Sequence, residues 1–177
     1  MKTMIRAGLL CGLMLLAPAM PAAGQMAAAP QQCASVTPPP AELAGWTTRS
    51  AITASADAAG LASAALVLGK GADVALRPDA DVRYAAAPGK KTDTKGSSGL
   101  LAVEIKEAGI YRVALGAGAW IDVIRDGKVL TSIRHGHGPE CSGIRKIVDF
   151  ELTPGIYVVQ IAGSPVAELP VLVAPAA

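Results

Sequence analysis

The sequence has few aromatic residues, 3% of 177, amounting to two Trp, three Tyr and one Phe, and only 17% of its residues are charged. So small a stock of rings leaves little for a converging aromatic platform of the kind that stacks on sugars. Acidic residues are absent from positions 1–24, where Lys2 and Arg6 supply the whole formal charge of +2, so from Gln25 onward 14 bases meet 14 acids. A neutral chain of this kind offers no basic face to nucleic acid. The apolar run from Ala7 to Leu16 is about half the roughly 20 residues needed to cross a bilayer, and no later stretch is long enough to be a transmembrane segment. Neither a Gly-x-Ser-x-Gly elbow nor a phosphate-cradling loop with P-loop spacing is present, which removes the usual signals for acyl transfer and nucleotide hydrolysis. What remains is 51% apolar residues punctuated by 19 Gly and 13 Pro. That describes one modest domain, too apolar for disorder and too interrupted to be mainly helical.

Residues 1–24 read as a secretory signal. Lys2 and Arg6 form the basic start, Ala7 to Leu16 the apolar run, and Ala17-Pro18-Ala19 to Ala22-Ala23-Gly24 the small-residue cleavage region. The expected destination is the periplasm or the medium. Losing Cys11 with the signal leaves Cys33 and Cys141, an even pair in an oxidising compartment and therefore an expected disulfide. Such a bridge closes a loop of about 109 residues, for which chain entropy gives on the order of 4–5 kcal/mol.

Residues 25–65 contain Pro30, the Pro38-Pro39-Pro40 run and few branched apolars, and are expected to form an extended, irregular arm packing through Leu43 and Trp46. The Ala-rich part, 51–65, is compatible with one short helix interrupted at Gly60. Residues 66–177 form the expected folded domain. Short runs of Val, Ile, Leu and Tyr between turn residues predict strands at 66–68, 72–77, 81–86, 100–106, 110–116, 119–125, 128–134, 145–152, 155–162 and 168–173. Asp126-Gly127 suits a two-residue type I′ hairpin turn. Pro88 to Gly99 has almost nothing to bury and reads as a mobile surface loop. About ten strands at this spacing predict an all-β fold, two packed antiparallel sheets in a β-sandwich. Which face of the Trp120 strand is buried stays open, since Trp120, Asp122 and Ile124 share one side and Ile121 and Val123 the other.

One segment echoes another. Val103 to Leu115 and Val148 to Ile161 each run as an alternating acidic strand, a turn ending in Gly (Gly109, Gly155), then Ile-Tyr and an apolar strand. Tyr111 and Tyr157 then face the core, each hydroxyl expected on a backbone acceptor near its turn. This doubled pattern resembles the jelly-roll domains of the pre-peptidase C-terminal type appended to secreted bacterial proteases, over about residues 66–173. The resemblance implies a jelly-roll-like sandwich with a binding or stabilising accessory role.

Both histidines lie in Arg134-His135-Gly136-His137-Gly138-Pro139-Glu140-Cys141. An i, i+2 pair on an extended segment turns both imidazoles to one side, and Glu140 adds an oxygen, a set that suits non-haem iron or zinc, with copper also considered. Cupin-type iron sites carry a further His on a distant strand, whereas this chain has two in all, leaving Asp149 or Asp122 as substitutes. The block from Gly118 to Lys128 followed by His135 to Lys146 resembles a family of short exported bacterial proteins, some labelled homogentisate 1,2-dioxygenase, which implies a metal-dependent dioxygenase. Arg134, Arg145 and Lys146 are candidates for holding an anion. Two functions therefore compete: a non-catalytic exported module binding an envelope component or a small anionic ligand, and a small metalloprotein using His135, His137 and Glu140. Cleavage of the signal predicts a mature chain beginning near Gln25, checked by intact mass after export; a chain retaining Met1 to Gly24 contradicts it.

Overall fold

A computed structural model describes residues 33–90 and 95–176; the expected signal segment lies outside the described residues. The strands there make two six-stranded sheets. The first has the order β1 (Arg49–Thr53), β3 (Gly71–Ala75), β12 (Glu168–Pro175), β6 (Gly109–Leu115), β10 (Lys146–Leu152), β9 (Arg134–Gly136). The second runs β2 (Ala65–Leu66), β5 (Ser97–Ile105), β11 (Gly155–Ser164), β7 (Trp120–Arg125), β8 (Lys128–Val129), with β4 (Arg77–Pro78) also on β5. The central four strands of the first sheet, β3-β12-β6-β10, face β5-β11-β7-β8 of the second, the arrangement of a jelly-roll sandwich. The pairings are antiparallel except at the N-terminal edge, where β1 joins β3 and β2 joins β5 in parallel.

Inward-facing residues of both sheets alternate along each strand and meet in one core, with Val113, Leu115, Val148 and Phe150 opposite Leu101, Val103, Val123 and Val159. The two Gly-Tyr segments are two of the places where the chain passes between the sheets, β5 to β6 and β10 to β11. The Tyr111 hydroxyl donates to Glu107 O at 2.8 Å and the Tyr157 hydroxyl to Thr153 O at 2.8 Å, each to the carbonyl four residues back. Both rings are buried, as the repeat predicts. The Tyr157 hydroxyl also accepts from Arg125 Nη1 at 3.0 Å and from Thr153 N at 3.1 Å. Burial pushes its pKa up, but the hydrogen bonds of Thr153 and Arg125 and the guanidinium charge outweigh that and leave it below its ordinary value.

Each sheet is also covered on part of its outer face. A 3-10 turn, Ala41–Thr47, lays Leu43 and Trp46 on Ala114, Ile144, Leu172 and Ala174 of the first sheet and its flanking loop. The arm thus packs through the two residues expected of it, and Cys33 is disulfide-bonded to Cys141, with Cα atoms 5.6 Å apart. The expected short helix at 51–65 is instead the end of β1, a 3-10 turn Ala58–Ser63 whose N–H groups are capped by Asp57, and β2.

Three sequence expectations are corrected here. Residues 81–86 are not a strand; after a 3-10 turn at Asp79–Asp81 they lie across the second sheet, because the Gln160 side chain takes their backbone groups. The segment Pro88 to Gly99 is anchored at both described ends: Gly89 N donates to Asp122 Oδ2 at 3.2 Å, and Ser97 to Gly99 begin β5 with Ser98 fully buried. The single strand expected at 128–134 is two, because the chain leaves β8 in one sheet and enters β9 in the other. The Asp126-Gly127 turn forms as expected, with φ of 49° and 72° and Arg125 paired to Lys128. Tyr111→Phe is expected to cost about 1 kcal/mol by leaving Glu107 O unpaired, and Tyr157→Phe more, because Arg125 and Thr153 also lose a partner. Urea unfolding of the two variants measures both; equal costs contradict the difference between the corners.

Candidate functional site

The crossings at Tyr111 and Tyr157 close one end of the sandwich. At the other end, where Leu115 pairs with Lys146 and Ala162 with Trp120, the sheets part around a cleft of about 420 Å³. Its floor is Ala119, Ile121 and Val148, and its rim carries Trp120, His135, His137, Arg145 and Lys146. His135 stands opposite Val148 in the β9–β10 ladder, so it takes the inward side of that strand. His137 follows two residues later. Its Nδ1 lies 2.6 Å from Arg145 O, and since a carbonyl only accepts, Nδ1 is the donor and Nε2 is the ring nitrogen outside this bond.

Lys146 spans the opening. Its ammonium donates to Ala119 O at 2.6 Å and stands 5.2 Å from the Trp120 ring centre. Burial lowers its pKa, the positive charge of Lys90 lowers it further, and Asp122 pulls the other way. Trp120 itself is fixed, with Nε1 donating to Asp122 Oδ1 at 2.8 Å. Asp122 is spoken for, since its other oxygen accepts from Gly89 N and from Gln160 Nε2 at 3.2 Å. The question of which face of β7 is buried is thereby answered: Ile121 and Val123 enter the core between the sheets, while Asp122 and Ile124 are buried on the outer side.

The two other groupings expected from sequence are not assembled. Arg134 does not join Arg145 and Lys146, because it pairs with Asp149 across the ladder and so projects from the opposite, outer face of the first sheet. There Asp149, 1% exposed, accepts two bonds from Arg112, at 2.9 and 3.1 Å, and one from Arg134 at 3.1 Å; Arg112 Nη1 also reaches Glu42 Oε1 at 2.7 Å. The Asp149 hydrogen bond keeps Arg112 above its ordinary pKa, against the opposing effect of burial. Glu140 is exposed and lines neither the cleft nor the neighbouring groove beside Arg112 and Arg134. Among the described residues, no three of His, Cys, Asp or Glu converge as a metal-binding set. Asp149 and Asp122, the possible substitutes, are held by Arg112, Arg134, Trp120 and Gln160. The ligand set that an iron dioxygenase requires thus does not fit these residues.

Cys141 is in the disulfide, and the neighbouring Ser142 Oγ donates to Pro139 O at 2.6 Å, so neither stands as a free nucleophile. Sequence reasoning missed the Trp120–Lys146 contact and the Arg112–Asp149 pair. The second had a partial signal, since Arg112 is the one charge in the otherwise uncharged strand Gly109–Leu115. Among the described residues no helix is long and apolar enough to cross a membrane. No protein-family model and no curated protein matches this chain. Removing the buried carboxylate with Asp149→Ala is expected to cost about 3 kcal/mol, the low end for breaking a buried ion pair, because Arg112 keeps Glu42. A loss below about 1 kcal/mol in chemical denaturation contradicts that role.

Proposed function

We propose that the protein is an exported, disulfide-stapled β-sandwich that works as a non-catalytic binding module, with its ligand held at the Lys146 end. The observation that carries this reading is the cleft itself. Four separate stretches of chain, the start of β7, Ser132, β9 with His137, and the start of β10, line one recess between the sheets. Its volume falls in the range of small-molecule sites, roughly 300–1,000 Å³, and an apolar floor with a few polar groups above it is the usual composition of such sites. The disulfide supports a periplasmic or secreted location, because such bonds persist in oxidising compartments.

A second reading, binding of copper, zinc or iron, is favoured by one specific observation. The Arg145 carbonyl holds His137 in the tautomer whose Nε2 is free to ligate, and His135 shares its side of the chain. With two ligands this is a weak chelate rather than an oxygenase centre, and the homogentisate dioxygenase resemblance adds nothing to it beyond the two histidines.

The test is cell fractionation followed by ¹H–¹⁵N spectra of the mature protein against a mixed library of small acids, sugars and amines. Recovery outside the cytoplasm and shift changes clustered on Trp120, His135 and Lys146 are expected. A cytoplasmic chain, or a library that leaves the cleft unmoved, overturns the reading. Near-stoichiometric metal in the isolated protein, lost in a His135→Ala/His137→Ala variant, would replace it with the second.

A further inference from the structure

The cleft has a composition that the binding reading alone does not explain. Its rim gathers Arg145, Lys146 and the two histidines, yet among the described residues no Asp or Glu lines it. The acid nearest in effect, Asp122, is 3% exposed and divides its oxygens between the Trp120 indole, Gly89 N and Gln160. Lys90 adds a further positive charge that acts on Lys146. The side chains of Arg145 and His135 make no hydrogen bond or ion pair to any described residue. Three arginines elsewhere do have carboxylate partners: Arg112 has two, Arg134 shares Asp149, and Arg49 lies 2.7 Å from Asp73. At this recess no described carboxylate pairs with Lys146 or Arg145, and the two cations stand over one apolar floor.

Beneath that rim the floor is apolar. Ala119, Ile121 and Val148 belong to the edge of the core and are reached through the opening that Lys146 spans. Trp120 stands beside them as a rigid wall, since its indole N–H is committed to Asp122 and a Cβ on Gly89 would lie 3.3 Å from its ring. Lys146 has spent one of its three donors on Ala119 O, leaving two to point at a ligand.

We propose that the cleft binds a small amphipathic anion, its carboxylate, phosphate or sulfate head held by Lys146 and Arg145 and its short apolar body lying on Ala119, Ile121 and Val148 beside Trp120. This rests on the binding-module reading above and adds the chemical class of the ligand. The occupant is a free molecule rather than a membrane surface, because a recess of about 420 Å³ between two sheet ends encloses a small ligand and presents no broad face. Ordering an anion between Lys146 and Arg145 supplies the charge the free protein lacks there, while the floor rewards the apolar part; neither half alone uses the whole site.

The experiment is calorimetric and NMR titration of the full mature protein with four probes: hexyl phosphate, inorganic phosphate, hexanol and hexylammonium. Hexyl phosphate is expected to bind with shifts at Trp120 and Lys146, and the other three at least tenfold more weakly. Lys146→Met and Arg145→Ser are each expected to weaken hexyl phosphate at least tenfold, and Lys146→Arg to restore most of the loss. Arg145 is exposed, so its variant tests the claim even if Lys146→Met disturbs the fold. Hexylammonium or hexanol binding as well as hexyl phosphate overturns the ligand class while leaving a binding cleft in place. No probe moving the cleft, alongside a library that does move it, does the same. Co-sedimentation with phosphatidylglycerol vesicles without any response to hexyl phosphate also overturns it, in favour of a lipid surface.

Discussion

Two tyrosine hydroxyls, each tied to the carbonyl four residues before it, fix two of the places where the chain passes from one sheet to the other. The two crossings lie side by side. Gly155 pairs with Ile105 in the second sheet while Leu152 pairs with Gly109 in the first, so both turns sit at the same end of the sandwich. Once they are set, β5 must neighbour β11 and β6 must neighbour β10, and the other strands add to the flanks of these pairs. At the opposite end the chain also crosses between the sheets, from β6 to β7 over residues 116–119 and from β11 to β12 over residues 165–167, without a tyrosine tie of this kind. Lys146 reaches there to Ala119 O, and the cleft lies around it.

The two outer faces are covered by different physics. On the first sheet the arm supplies apolar surface through Leu43 and Trp46, and Trp46 Nε1 donates to Ser142 O at 3.1 Å, beside the disulfide that anchors the same segment. On the second sheet a row of buried polar side chains, Ser98, Gln160 and Asp122, binds backbone groups of Ala85, Ala86 and Gly89 and the hydroxyl of Tyr84. Burying such groups is tolerable only when each is bonded. Among the described residues no buried side-chain nitrogen or oxygen lacks a partner. One practical consequence is that Trp120, fixed by Asp122, is held by the same strap that covers the sheet, so the wall of the cleft and the covering of the second sheet are one structure.

Much of this fold was legible from local pattern. Alternation over 100–106, 110–116, 145–152 and 155–162 marked four central strands, and the Gly-Ile-Tyr repeat located both sheet crossings and the direction of both rings. The turn at Asp126-Gly127 needed only the preference of those two residues for positive φ. What failed were the segments whose partners are side chains far along the chain. Residues 81–86 alternate like a strand, but their backbone groups are bound by Gln160, some 75 positions away, and no local signal reports that. Residues 128–134 look continuous because sequence does not show which sheet each half joins.

The site divides in the same way. That His135 and His137 face one side follows from their spacing, and both do line the cleft. That Arg134 turns away from Arg145 and Lys146 follows from strand alternation only once β9 is known to pair with β10. The meeting of Trp120 and Lys146 across the two sheets is tertiary and was invisible. Their meeting is also what gives the Lys146 end its character, a cationic rim over an apolar floor. The most direct measurement is a crystal structure of the mature protein grown with hexyl phosphate. The account predicts the phosphate within hydrogen-bond distance of Lys146 Nζ and the alkyl chain against Ile121 and Val148; density for the head group at Arg112 and Arg134 on the outer face, with the cleft empty, would contradict it.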